Sequence, residues 1–131
     1  MYLLDTHVFF WRVAEPDRLT QTQGRALDEA EASDEPVAIS VITLWELAML
    51  AHRGRIQPPK VIDLWLAEIE ADPEIAVIPL SGRIVTEAVQ LGPGVPNDPA
   101  DRIIIATARC HGFPLVTGDK RIRDAGVVVA V

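Results

Sequence analysis

The sequence predicts an α/β protein, with a central, mainly parallel sheet and helices on both faces. Three observations carry this reading. Short apolar runs alternate with longer helical patterns along the whole chain. Two of those runs, Met1-Tyr2-Leu3-Leu4 and Phe113-Pro114-Leu115-Val116-Thr117, break off at Asp5 and at Gly118-Asp119. The segment from about Thr43 to Arg53 is apolar on nearly every side, the mark of a helix packed on several faces. With 131 residues, 49% of them hydrophobic, the chain suits one domain (1–131) around a well-covered core, and disorder is disfavoured.

The elements follow in order. After the first strand, Thr6 to Ala14 is a compact segment holding Val8, Phe9, Phe10, Trp11 and Val13, read as a short helix that Glu15-Pro16-Asp17 ends. Thr20-Gln21-Thr22-Gln23 offers a capping box for a polar helix to about Ala32. Ser33-Asp34-Glu35-Pro36 is a loop, and Val37-Ala38-Ile39 a short strand. In the apolar helix that follows, Glu46 sits among Leu44, Trp45, Leu47, Met49 and Leu50. Thr43-x-x-Glu46 also has the form of a capping box, so Glu46 reads equally as a helix cap and as a site residue.

Gly54 and Pro58-Pro59 end that helix. Val61 to Ile69 is amphipathic with Trp65 inward, Asp72-Pro73 turns into a strand over Ile75 to Leu80, and Ser81 caps a helix to about Leu91. A loop, Gly92 to Pro96, leads to Asp98-Pro99, a strong helix start. From there Asp101, Ile104, Ile105 and Ala108 lie on one helix face, while Arg102 and Arg109 share another. Asp101 therefore shares its stripe with residues that must be buried. Lys120 to Asp124 forms a brief turn or helix, and Val127 to Val131 a final strand.

Composition narrows the function classes. A net charge of −7 argues against broad electrostatic binding to nucleic acid. Five of the 12 basic residues (Arg102, Arg109, Lys120, Arg121 and Arg123) nevertheless lie in the last third, near the aspartates. Arg102, Lys120 and Arg121 are the candidate phosphate contacts, with ordinary surface charge as the other reading. The single cysteine, Cys110, excludes an internal disulfide, fits a reducing compartment such as the cytoplasm, and reads as a buried structural thiol. No secretory signal is expected from a chain opening with a strand pattern and Asp5. The mostly apolar stretch from Val37 to Ala51 is too short for a membrane span and contains Glu46.

Four acids thus have reason to meet: Asp5, Glu46, Asp101 and Asp119. Open parallel sheets bind ligands at the carboxyl ends of their strands, where Asp5 and Asp119 fall. Two unit charges 4 Å apart repel by about 4 kcal/mol at an effective dielectric of 20. Protons or a cation must relieve such a cluster. His7, His52 and His111 are scattered, so the donor set is oxygen alone, which favours Mg²⁺ or Mn²⁺ and work on phosphates.

The motifs LLDTH at the start, S-x-x-T-L-W-E-L-A at 40–48, DPADRIIIATA at 98–108 and LVTGD at 115–119 resemble those of the PIN-domain ribonucleases. Within that family the chain is most similar to the toxin components of VapBC toxin–antitoxin pairs, and the match runs through the whole chain in order. The resemblance implies an α/β/α sandwich and a Mg²⁺- or Mn²⁺-dependent endoribonuclease. It implies Asp5 and Asp101 as principal metal ligands, with Glu46 and Asp119 completing the shell directly or through water. Thr6 and Thr117 fall where the family often places hydroxyls near the site. Asp98 reads as helix cap and outer support ahead of direct ligand. Asn97 and Ala100 depart from the basic or His residue and the aromatic common in related toxins, so substrate contacts there are expected to differ. A cognate antitoxin and a homodimer are implied as well, with Phe9, Phe10, Trp11 and Trp45 as candidate contact residues.

Three other readings compete. A dehalogenase-type phosphatase needs a second acid two residues after the first, where this chain has His7. A receiver domain needs an Asp after a middle strand, and Ile75 to Leu80 ends without one. A PIN fold that binds RNA or a partner without cutting is the least economical, with all four acids present.

Overall fold

The computed structural model describes residues 1–131. Four strands form an all-parallel sheet in the order β3-β2-β1-β4, from β1 (Leu3–Leu4), β2 (Val37–Ser40), β3 (Ile75–Ile78) and β4 (Leu115–Val116). Seven α-helices connect and cover them: α1 (Thr6–Ala14), α2 (Gln21–Ala32), α3 (Val41–His52), α4 (Ile62–Ala71), α5 (Gly82–Gln90), α6 (Pro99–His111) and α7 (Lys120–Ala125). A 3-10 turn, Pro16–Arg18, follows α1.

Strand alternation makes the sandwich. Successive side chains point to opposite faces, so Leu4, Ile39 and Val116 join Val8, Phe9, Leu27, Leu47 and Trp65 on one side. Leu3, Ala38 and Leu115 join Ile104, Ile105, Ala108 and Ile122 on the other. Each fully buried Leu or Ile contributes about 1.5–3 kcal/mol by leaving water, so the sheet needs a helical layer on both faces. The register pairs Leu4 with both Ile39 and Val116. Asp5, Ser40 and Thr117 therefore stand side by side where the three strands end.

Local signals behave as the sequence reads for α2, α5 and α6. Thr20 and Gln23 form the reciprocal capping box, Ser81 accepts from the Ile84 N–H, and Asp98 accepts from the Asp101 N–H with Pro99 at the first helical position. Two expectations need correction. Val127 to Val131 is no full strand: the Leu115 N–H donates to the Val129 carbonyl and the Val131 N–H to the Leu115 carbonyl, but only one isolated parallel bridge, Leu115 to Ala130, results. A third bond, from the Thr117 N–H to the Val131 carbonyl, extends the contact one residue past β4 before the chain turns into the Asp119 cap of α7. Cys110 is half-buried, its Sγ facing the Arg83 carbonyl 4.0 Å away.

Arg102 is the third correction, because it is no free cation for RNA. Its Nε donates to the Ala88 carbonyl at 3.1 Å, and its two terminal nitrogens donate to the Leu91 and Pro96 carbonyls at 2.5 and 3.3 Å. These bonds satisfy the open carboxyl end of α5 and fix the loop before α6. Arg102→Ala is expected to lower stability by about 2–4 kcal/mol, since three charge-assisted bonds go and their acceptors lose partners. Urea denaturation measures this; unchanged stability would show that water replaces the guanidinium without loss.

Candidate active site

The site lies at the carboxyl ends of β1, β2 and β4. Asp5 is the first residue past β1 and the N-cap of α1, only 6% exposed. Its Oδ1 accepts from the Thr6 N–H and its Oδ2 from the Thr117 hydroxyl, both at 2.8 Å. Thr117 Oγ1 in turn accepts from the Asp119 N–H at 3.0 Å, so one hydroxyl links the ends of β1 and β4. Burial raises the Asp5 carboxyl above its usual range, against the lowering effect of these two donors.

Glu46 reaches the same edge from α3. The Thr6 hydroxyl donates to its Oε1 at 2.6 Å, and the Thr6 and Thr43 hydroxyls lie 3.0 Å apart. The capping-box reading of Thr43 and Glu46 is therefore wrong. Helix α3 begins two residues earlier, at Val41, and Ser40 is its cap, accepting from the Ile42 N–H at 3.2 Å. Thr43 is fully buried and supports Thr6, a role that sequence reading missed. Its signal was present only as a polar residue in an otherwise apolar helix. The Glu46 carboxyl is raised, first by burial and then by the charges of Asp5 and Asp98.

Asp101 projects from the first turn of α6, half-buried. Its pKa is pushed up to about 7, chiefly by burial, then by Asp5, Asp98, Glu46 and Asp119. Oxygen atoms of Glu46, Asp98 and Asp101 lie within 4.8 Å of one another, close enough to share one cation. Asp98 thus caps α6 and also stands inside the acidic trio. Asp5, Asp101 and Asp119 line one cavity of about 460 Å³ together with His7, Trp11, Arg18, Gly118 and Arg121. Asp101 belongs to both groups and joins them.

Asp119 differs from the others. It caps α7, and Arg121 grips it with Nε on Oδ1 at 3.1 Å and a terminal nitrogen on Oδ2 at 2.7 Å. That fork holds its carboxyl below the usual range. Arg121 is exposed, as is Lys120, which pairs with Asp124 at 2.6 Å. Arg121 lines the cavity, whereas Lys120 is next to Asp119 in the chain and is not among its lining residues.

Sequence reading missed Arg18, read Gln23 only as part of a capping box and read Trp11 only as a candidate partner contact. Gln23 is buried in α2 and donates through Nε2 to the Thr117 carbonyl at 3.0 Å, holding the end of β4 from beneath. Trp11 lies against Gly118: a Cβ there would come within 2.7 Å of the indole. The Arg18 guanidinium sits over the same indole, 4.8 Å from a ring centroid. The aromatic contact expectation needs correction too. Phe9 is buried against Trp65 in the core, Phe10 packs on the same ring and lines a groove beside Trp11, and Trp45 is 56% exposed.

The donor set fits a hard divalent cation. It consists of carboxylates only, with threonine hydroxyls orienting Asp5 and Glu46, and Asp101 is raised first by burial and then by four neighbouring acids, whose charge a cation would offset.

Comparison with known proteins agrees with this architecture. The PIN domain family model matches residues 2–128. Ribonuclease VapC22 of Mycobacterium tuberculosis is 38% identical over 122 residues, which cover 93% of this chain and 89% of that protein. VapBC2 from Rickettsia felis, solved bound to a DNA fragment from its promoter, superposes with a TM-score of 0.73 at 18% identity, covering 99% of this chain and 96% of its own. FitAcB from Neisseria gonorrhoeae superposes with a TM-score of 0.67 at 25% identity, again covering 99% and 96%. A family match over nearly the whole length, a relative similar from end to end and acids gathered at the strand ends make one conclusion: the chain belongs to the PIN domain family.

Proposed function

We propose that the chain is a metal-dependent endoribonuclease, hydrolysing RNA phosphodiester bonds as the toxin of a toxin–antitoxin pair. The observation that carries the reading is the convergence of Asp5, Glu46, Asp98, Asp101 and Asp119 on one strand edge, with Asp101 raised to about 7. The name of the 38% identical relative, a ribonuclease, supplies the substrate class. The toxin–antitoxin complex from Klebsiella pneumoniae, similar in fold at a TM-score of 0.67, supports an antitoxin partner.

Asp5 and Asp101 take the principal ligand roles for Mg²⁺ or Mn²⁺. Glu46 and Asp119 would complete the shell directly or through water, and Asp119 would do so in competition with its fork to Arg121. The bound cation would supply a water of lowered pKa and offset the charge that builds on the phosphate. Thr6 and Thr117 hold the Asp5 carboxylate rigid, so it meets the cation without reorganisation. Glu46, anchored by Thr6 through Oε1, keeps Oε2 for the attacking water and its proton. Arg121 in the cavity and neighbouring Lys120 meet the RNA backbone. Exposed Trp45 and partly exposed Trp11 are the remaining aromatic candidates for an antitoxin contact, and a homodimer acting in the cytoplasm is the expected form. No helix is long and apolar enough to cross a membrane.

Cleavage of end-labelled single-stranded and structured RNAs, with Mn²⁺ or Mg²⁺ and with EDTA, tests the reading. Cutting that EDTA stops and added Mn²⁺ restores is expected. Phosphate release from small monoesters or labelling by acetyl phosphate, with RNA left intact, would replace the nuclease by a phosphatase or a receiver.

A further inference from the structure

The acidic cavity is not lined by acids alone. His7, Trp11 and Arg18 line it beside the carboxylates, and the same three residues line an adjoining groove of about 520 Å³ that Leu50, Arg55 and Ile56 also line. Arg18 therefore stands at the junction between the acids and an open channel. Its position is built in three layers. Gly118 has no side chain, so the Trp11 indole can lie against the turn that carries Asp119. The indole in turn carries the Arg18 guanidinium over its face. Glu15 then steadies Arg18 from outside at 3.2 Å. A lone surface arginine explores many rotamers; one seated on an aromatic ring has lost part of that freedom before any ligand arrives.

We infer that Arg18, mounted on Trp11, binds the phosphate next to the scissile one, and that the groove toward Arg55 carries the single RNA strand away from the acids. This deepens the nuclease reading and rests on it. The charge pattern supports it. A chain of net charge −7 repels RNA as a whole, so local cations must hold the strand where the acids would push it off. A divalent cation offsets charge at the scissile phosphate alone. Its neighbour needs a separate partner, and guanidinium matches phosphate by geometry. Trp11 acts through Arg18 and is a positioning residue.

The test uses the full chain in two assays. Cleavage kinetics are read on a short, labelled single-stranded RNA with saturating Mn²⁺. Affinity for the same RNA is read by fluorescence anisotropy across a salt series in the Asp5→Asn background. Arg18→Ala is expected to raise KM about 5–10-fold with kcat within about two-fold, and to lower the salt slope by about 0.7. Glu15→Gln, which removes a competing carboxylate, is expected to shift KM the other way by about two-fold. Trp11→Leu is expected to reproduce part of the Arg18→Ala effect and to add little to it in the double variant. Lys60→Ala, a cation paired with Glu68 outside the groove, is the control and should leave the slope unchanged.

Arg18→Ala with unaltered KM and salt slope would overturn the inference while RNA cutting by the parent chain left the nuclease reading standing. An equal loss in Lys60→Ala would overturn it too, by showing only general charge attraction. If the parent chain cuts no RNA, the nuclease reading falls, and the anisotropy arm still judges the subsite: unchanged affinity of Arg18→Ala there overturns it.

Discussion

Asp5→Asn is expected to reduce metal-dependent RNA cleavage by roughly 10³-fold or more while making the metal-free protein more stable at pH 8. The first effect follows from the ligand role: losing the anionic oxygen that faces the cation removes several kcal/mol of transition-state stabilisation, at about 1.4 kcal/mol per factor of ten. The second follows from burial. The Asp5 carboxyl is almost fully covered and its pKa is raised by desolvation, so its ionised form weakens the fold at neutral and alkaline pH. Asparagine has the same shape without the charge. One amide oxygen can still accept from the Thr6 N–H, and the amide nitrogen can donate to the Thr117 hydroxyl, which accepts as readily as it donates. Activity and stability thus move in opposite directions. Cleavage rates with thermal melts at pH 8 in EDTA check both. A variant that loses activity and melts lower would show that the cap Asp5 makes on α1 outweighs the cost of its buried charge.

The second large effect is on stability against pH. Asp101 titrates near 7 in the folded chain and near 3.8 when unfolded, so between those values the folded state holds more protons. Stability therefore falls as pH rises from about 4 to 7 and is lowest above 7. The burial-raised carboxyls of Asp5 and Glu46 work in the same direction, and Asp119, lowered by Arg121, works against them. A three-unit shift in a fully buried group would be worth about 4 kcal/mol; solvent around the half-exposed Asp101 reduces that to about 1–2 kcal/mol. In EDTA the melting temperature should drop by several degrees between pH 5 and pH 8. Mn²⁺ or Mg²⁺ should reverse the drop, more at pH 8 than at pH 5, because protons and the cation compete for the same oxygens. Asp101→Asn should flatten the metal-free profile. A wild-type profile that is level in EDTA would show the acids too well hydrated to repel one another.

Much of this site was legible before any coordinates. The strand ends at Asp5 and Asp119, the helix start at Asp98-Pro99 and the shared stripe of Asp101 with Ile104, Ile105 and Ala108 all depend on contacts within a turn or two of the chain. Capping and periodicity are short-range effects, so the local sequence carries them. Glu46 marks the boundary. Its place on a largely apolar helix was readable, but that helix is not packed on all sides: only Thr43 and Leu47 are buried, and Trp45 is exposed. Thr43 also looked like its capping partner until Ser40 took that place and moved the helix start back to Val41.

What the sequence alone determined was an α/β chain with acids placed at strand and helix ends. Tertiary structure decided which polar groups serve those acids. The Thr117 hydroxyl meets Asp5 across 112 residues and the Thr6 hydroxyl meets Glu46 across 40, both set by the parallel register of β1 with its neighbours. It also turned Arg102 inward to three carbonyls and seated Arg18 on Trp11. A long side chain chooses its partner from whatever the packed fold brings within reach, and no spacing along the chain encodes that choice.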